Sequence, residues 1–262
     1  MIAAPLHIVN ERLMLCPTGV LLWPAQRLMA VADLHLEKAS HFAARGRMLP
    51  PYDTRETLRK LAFALRRYAP HHLVLLGDSF HDAEGHSRLA EEDRATLLGL
   101  LAGLRVTWVL GNHDPAPPEN LPGEAVEELA LGPMRFRHIG GGPILRHKEG
   151  EISGHYHPKA SLETRAGRVS RPCFLTGPQH VVLPAFGALT GGLDVRSPVL
   201  APLAPRNGRV FLLGTDRLHS APVSFVMPEG TGTKMPAPAE DDLLPAGHRP
   251  PPLETVKVRR RL

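Results

Sequence analysis

Cysteine is scarce: Cys16 and Cys173 are the only two among 262 residues. Two thiols cannot make a disulfide framework, so the chain must rely on a hydrophobic core, and a reducing compartment is its natural setting. Neither thiol has a base or partner in a recognisable motif, and both read as inert buried side chains. Aromatics are only 5% of the chain, which leaves Leu, Val and Ala to build the core. No run approaches the ~18 consecutive apolar residues of a membrane span. The amino-terminal MIAAPLHIVNERL has neither the basic start nor the apolar stretch of a secretory signal. The expected location is cytoplasmic, with no membrane partner. Charge of one sign is not abundant either. A net +5 with a pI near 9.6 is compatible with nucleic acid without establishing it.

Apolar residues, at 43%, suffice for one large domain. From Leu13 to Leu34, short apolar runs alternate with turn residues and end in a buried strand near Asp33. Asp53 and Glu56 suggest the cap of a helix in which Leu58, Leu61, Leu65 and Tyr68 share one face. Leu73 to Leu76 reads as a strand, about Ser87 to Leu104 as a helix, and Val106 to Leu110 as a strand. Beyond about residue 134 short β-like pieces separated by Gly and Pro suggest a second sheet packed on the first. The expected fold is α/β: two packed β-sheets flanked by helices, with polar residues gathered at strand carboxyl ends, where open α/β sheets place their ligands. The domain is expected to span residues 1–227. Residues 228–262 read as a Pro-rich disordered tail ending in the basic cluster Lys257, Arg259, Arg260 and Arg261.

Four polar clusters follow apolar runs: Asp33-Leu34-His35, Gly77-Asp78, Gly111-Asn112-His113-Asp114 and Gly154-His155-Tyr156-His157. Singly, each could be a solvated turn or surface decoration. Yet a tetrapeptide such as GNHD arises by chance only about once in 10^5 positions, and all four occur together. Two cations ~3.5–4 Å apart need a carboxylate to bridge them and separate ligands for each. Asp78 suits the bridge. Asp33, His35 and one late His can complete one metal; Asn112, His147 and the other late His can complete the second. Imidazole, carboxylate and amide oxygen together suit Mn, Fe, Zn or Ni better than Mg or Ca, with Mn2+ the favoured pair.

At these residues the sequence resembles the calcineurin-like metallophosphoesterase superfamily, whose motif elements are all present in order between residues 33 and 157. The resemblance implies a two-sheet sandwich with a dinuclear site. Asp33, His35, Asp78 and His157 would hold one metal, and Asp78, Asn112, His147 and His155 the other. His113 would face the phosphate and protonate the leaving oxygen, oriented by Asp114. For the lone His ligand, His147 is preferred to His138 because it closes an apolar run just before Gly154. ADLHLEKASHFAARG, LPPYDTRETL, LLGDSFHD, GEISGHYHPKA and LPAFGALTGGLDV further resemble the bacterial ligase-associated DNA damage response phosphoesterases, called PdeM. That resemblance covers about residues 10 to 215. It implies DNA as substrate and functional association with a DNA ligase, a helicase and a second nuclease.

Lys38, Arg45 and Arg47 follow the first cluster and could meet a phosphate backbone or be solvated charges. His41, His81 and His86 fit no motif position and are expected at the surface. The favoured function is a metal-dependent phosphodiesterase acting in DNA repair. Alternatives are a small-molecule phosphatase or nucleotide phosphodiesterase, and a non-catalytic scaffold. An intact His113 beside the ligand set weighs against the scaffold.

Overall fold

The computed structural model describes residues 1–141, 145–164, 167–205 and 207–226. The tail expected over 228–262 lies outside them. The first sheet runs in chain order through β1 (Ala4–Ile8), β2 (Glu11–Leu15), β3 (Leu21–Trp23), β4 (Leu28–Val31), β5 (His72–Leu76), β6 (Arg105–Val109) and β7 (Glu124–Val126). Neighbours from β1 to β4 are antiparallel, whereas β4, β5, β6 and β7 are parallel. Parallel strands need long crossovers. The first two here carry α1 (Lys38–Ala43) and α2 (Asp53–Tyr68), then α3 (Gly85–Arg88) and α4 (Glu91–Leu101), and the β6–β7 connection is a loop.

The second sheet contains β8 (Glu128–Leu131), β9 (Met134–Arg137), β10 (Gly150–Ser153), β12 (Gly167–Thr176), β13 (His180–Val182), β14 (Arg209–Leu213) and β15 (Leu218–Pro222). Its order is β15-β14-β12-β13-β10-β9-β8, and β11 (Lys159–Thr164) pairs with β12 as a hairpin. Within it β10 is parallel to both β9 and β13.

Strand periodicity decides which face each residue serves. In β4, Leu28 and Ala30 join Val74, Leu76, Phe136, Ile152, Phe174 and Phe211 in the core between the sheets. Met29 and Val31 point the other way, onto Leu58 and Leu61 of α2 and Leu97 and Leu101 of α4. Burying each such side chain contributes roughly 1.5–3 kcal/mol. Both faces of the parallel strands are therefore covered, and only their ends remain for chemistry.

The helix from Asp53 to Tyr68 forms as its spacing indicates, but Asp53 is not its cap. The carboxylate instead accepts the Ala39 N–H (3.1 Å) and ties α2 to α1. No helix among the described residues is long and apolar enough to cross a membrane.

Candidate metal centre

Each cluster singled out by sequence lies just beyond the carboxyl end of a parallel strand: Asp33 and His35 after β4, Asp78 after β5, Asn112 and His113 after β6, and His155 and His157 after β10. Glycines let these loops meet. A Cβ on Gly111 would lie 2.2 Å from Asp78 Oδ1, and one on Gly77 would lie 2.1 Å from His138 Nδ1. The loops are strained as well as close. Asp33, His35, Asp78, His155 and His157 all have φ between +44° and +70°, a region that costs a non-glycine residue roughly 1–3 kcal/mol and concentrates at functional sites.

Two groups built on a carboxylate converge, Asp33, His35 and His157, and Asp78, His138 and His155; a third, of imidazoles alone, joins His35 to His81 and His113. His35 Nε2 is 3.2 Å from His157 Nε2, and His138 Nε2 is 3.2 Å from His155 Nδ1 and 2.9 Å from Asn112 Oδ1. Ligand bonds of ~2.1 Å in tetrahedral or octahedral arrangement set neighbouring donor atoms roughly 3.0–3.4 Å apart, so these spacings fit coordination. One oxygen joins the groups: Asp78 Oδ2 is 3.2 Å from His138 Nε2 and 3.8 Å from His35 Nε2. The donor set fits a pair of divalent cations bridged by Asp78.

His147 is not part of this set. It sits exposed in the turn before β10, at the amino end of that strand. His138 directly follows β9 and is buried within the cluster. The correction follows from chain polarity: β9 and β10 are parallel, so the residues after each strand, not those before, reach the end where the first sheet delivers Asp33, Asp78 and Asn112.

Burial keeps His35 well below its usual value, against the opposing pull of Asp78, and lowers His155 to about 4. Both are therefore neutral near pH 7, with ring lone pairs to offer. His138 behaves oppositely. Burial opposes its charge, yet the adjoining Asp78 and Asp33 carboxylates hold it up to about 9. His138 in turn draws the Asp78 carboxyl well below the usual range despite burial. Asp33 also accepts the His155 N–H on both oxygens (3.0 Å each).

Asp114 does not orient His113. Its carboxylate accepts backbone N–H groups from Ser79 (2.8 Å), Phe80 (3.1 Å) and Gly111 (3.1 Å), which locks the loops after β5 and β6 together. The His113 ring is fixed by His81, whose carbonyl accepts from His113 Nδ1 at 2.7 Å. A carbonyl can only accept, so Nδ1 carries a proton and Nε2 is the working atom. It faces the cluster, 4.0 Å from Asp78 Oδ2.

His81, expected at the surface, is buried. Its ring stacks on His113 (centroids 5.1 Å apart), and its Nδ1 is 3.2 Å from His35 Nδ1. His41 is half-buried, bonded to Asp82 and edge-on to His81, while His86 lies outside the cluster against Phe80. The readable signal for His81 was its place three residues after Asp78 in the same strand-end loop. Lys38 is half-buried near His81. Arg45 and Arg47 are exposed beyond α1, Arg45 bonded to the His41 carbonyl and Arg47 over the Phe42 ring.

A search of curated protein sequences returned no match. Among solved structures, the chain is similar to a nuclease of Pseudomonas putida, MPE, with 27% identity and a TM-score of 0.64. The likeness covers 84% of this chain and all of that one. YfcE, a phosphoesterase from E. coli, aligns at 14% identity and a TM-score of 0.38, over 75% of this chain and 98% of its own. The family model of the calcineurin-like phosphoesterases matches residues 26–164, just over half of the sequence and the stretch that holds every residue of the two converging groups; the chain belongs to that family.

Proposed function

We propose that the protein is a phosphodiesterase that uses two divalent metal ions, Mn2+ foremost, to cleave DNA strands in repair. The observation that carries the reading is Asp78 Oδ2, a single carboxylate oxygen facing two separate sets of imidazole and carboxylate donors. The family supports hydrolysis of a phosphoester, and the likeness to a nuclease favours a nucleic-acid diester.

A bound pair of cations would activate water at neutral pH and draw charge from the phosphate. The chain's own residues do the rest. Strained loops hold Asp33, His35, Asp78, His155 and His157, and Asn112 and His138 are held against each other at 2.9 Å, so the site reorganises little. His113, anchored through its Nδ1–H, can in its doubly protonated form hand the Nε2 proton to the departing oxygen. Asp114 keeps the two loops in register. Lys38 at the start of α1 and exposed Arg45 and Arg47 beyond its end supply positive charge for a phosphate backbone. Work beside a DNA ligase, a helicase and a second nuclease, in a cytoplasmic setting, belongs to the same proposal.

The test is a metal-supplemented assay on bis(4-nitrophenyl) phosphate, 4-nitrophenyl phosphate and labelled DNA. The reading expects turnover of the diester and of DNA with little on the monoester. Preference for the monoester would assign the site to a small-molecule phosphatase.

A further inference from the structure

Beside the metal centre lies a groove of about 590 Å³ between α2, the turn at Thr18, the loop at residues 185–190 and the β11–β12 hairpin. Its back wall is shared with the site. Gly187 donates its N–H to the Asp33 carbonyl (3.0 Å), and a Cβ there would stand 2.3 Å from the Leu34 carbonyl oxygen. Lys159, two residues after His157, and Lys60 of α2 both line it, with Ser170 and Thr190, whose hydroxyl donates to the Gly187 carbonyl (3.1 Å). The one carboxylate on its lining, Glu56, is paired with Arg59. Neither lysine has a carboxylate within ion-pair distance among the described residues.

The lysines are placed rather than loose. The Lys60 stem is exposed, but its ammonium turns inward onto the Phe186 carbonyl and over the Phe186 ring, 4.6 Å from the centroid. An ammonium has three donors, and a single carbonyl uses one. The Lys159 stem runs against Gly192, where a Cβ would lie 2.8 Å from its Cε. Two lysines on a concave wall, whose only lining carboxylate, Glu56, is paired with Arg59, match a phosphodiester.

We propose that this groove is a second phosphate subsite, in which Lys60 and Lys159 hold a phosphate of the substrate strand next to the one being cleaved. It rests on the reading of the site as one that cleaves nucleic-acid strands. A concave wall admits a single strand more readily than the convex surface of a duplex, so an unpaired strand is the expected occupant. A small diester, having one phosphate, makes no use of the groove.

The deciding variant is Lys159→Gln, with Lys159→Arg as the charge-preserving control. KM is measured for bis(4-nitrophenyl) phosphate and for a longer single-stranded oligonucleotide at several salt concentrations. One phosphate contact on a single strand contributes about 0.7 to the slope of log affinity against log salt. At about 50 mM salt its loss corresponds to a five- to tenfold rise in KM. Lys159→Gln should show that rise and the shallower slope on the oligonucleotide, unchanged kinetics on the small diester, and recovery in Lys159→Arg. Wild-type cleavage of the oligonucleotide with Lys159→Gln unaltered would overturn the subsite alone. So would equal losses on both substrates, which would make Lys159 a prop of the site. Inhibition by a mononucleotide that needs Lys159 while oligonucleotide KM does not would give the groove to a free nucleotide instead. A wild-type protein that turns over the small diester but no strand would remove the functional reading itself, and the subsite with it.

Discussion

Replacing His138, rather than His147, should empty one half of the metal centre. His138 Nε2 lies within 3.2 Å of Asn112 Oδ1, Asp78 Oδ2 and His155 Nδ1, whereas His147 is exposed in a turn. Structural zinc in small domains is bound by about 10–16 kcal/mol over four ligands, so one ligand is worth roughly 3 kcal/mol, or about a hundredfold in affinity. His138→Gln should weaken the second metal by about that factor, and His147→Ala should leave both metals and turnover unchanged. The pH dependence sharpens the test. In the metal-free protein the Asp78 and Asp33 carboxylates hold His138 up to about 9 against the effect of burial, and a ligand nitrogen must lose its proton before it binds. Metal affinity should therefore rise with pH, by about tenfold per unit from 7 up to about 9, with proton release on binding. His138→Gln should flatten that rise. The same shift has the opposite sign for the metal-free fold. Its contribution is complete below the unfolded value near 6.5 and lost as pH passes through about 9, so the apo protein should melt lower at high pH. Isothermal titration of Mn2+ at several pH values reads the affinity and the proton release, and thermal melting of the metal-free protein over the same pH range reads its stability. Normal two-site binding by His138→Gln, with loss in His147→Ala, would refute the reasoning.

Three further outcomes are expected. His113→Gln should keep its metals but slow DNA cleavage by ~10²–10⁴-fold, with a smaller loss on bis(4-nitrophenyl) phosphate, whose leaving group scarcely needs a proton; equal losses on both would deny it the acid's role. Gly111→Ala should abolish turnover and lower the melting temperature, because its methyl would stand 2.2 Å from Asp78 Oδ1; an active, stable variant would show the loops less constrained than described. Cys16, pushed by burial up to about 11, and Cys173, pushed higher still, should resist a thiol reagent at pH 8 until the chain is unfolded, and rapid labelling of the native protein would contradict their burial.

Much of this architecture was legible because strand periodicity and punctuation coincide. Leu73 to Leu76 followed by Gly77-Asp78, and Val106 to Leu110 followed by Gly111-Asn112, are buried strands ending in ligands, and the structure has both. The error over the lone histidine arose because both candidates flank apolar residues. Composition cannot tell the carboxyl end of β9 from the amino end of β10; only their parallel pairing does. Asp114 misled for a different reason. Adjacent residues in a tight loop point apart, so the neighbour of His113 in sequence binds the backbone of Ser79 and Phe80, and the group that holds His113 comes from His81. The left-handed backbone at Asp33, His35, Asp78, His155 and His157 has only a weak sequence signature: Asp and His enter that region more often than other non-glycine residues, but their identity alone does not place it.

The most direct test of the central claim is the metal content of the purified, metal-loaded protein set beside its turnover of bis(4-nitrophenyl) phosphate, for the wild type and for Asp78→Asn. Asp78 Oδ2 faces both donor groups, so a bridging carboxylate predicts two divalent ions per chain in the wild type, turnover abolished by chelation and restored by Mn2+, and loss of bound metal together with activity in Asp78→Asn. Two full equivalents with normal turnover in Asp78→Asn, or undiminished wild-type activity after the metal has been stripped, would contradict it.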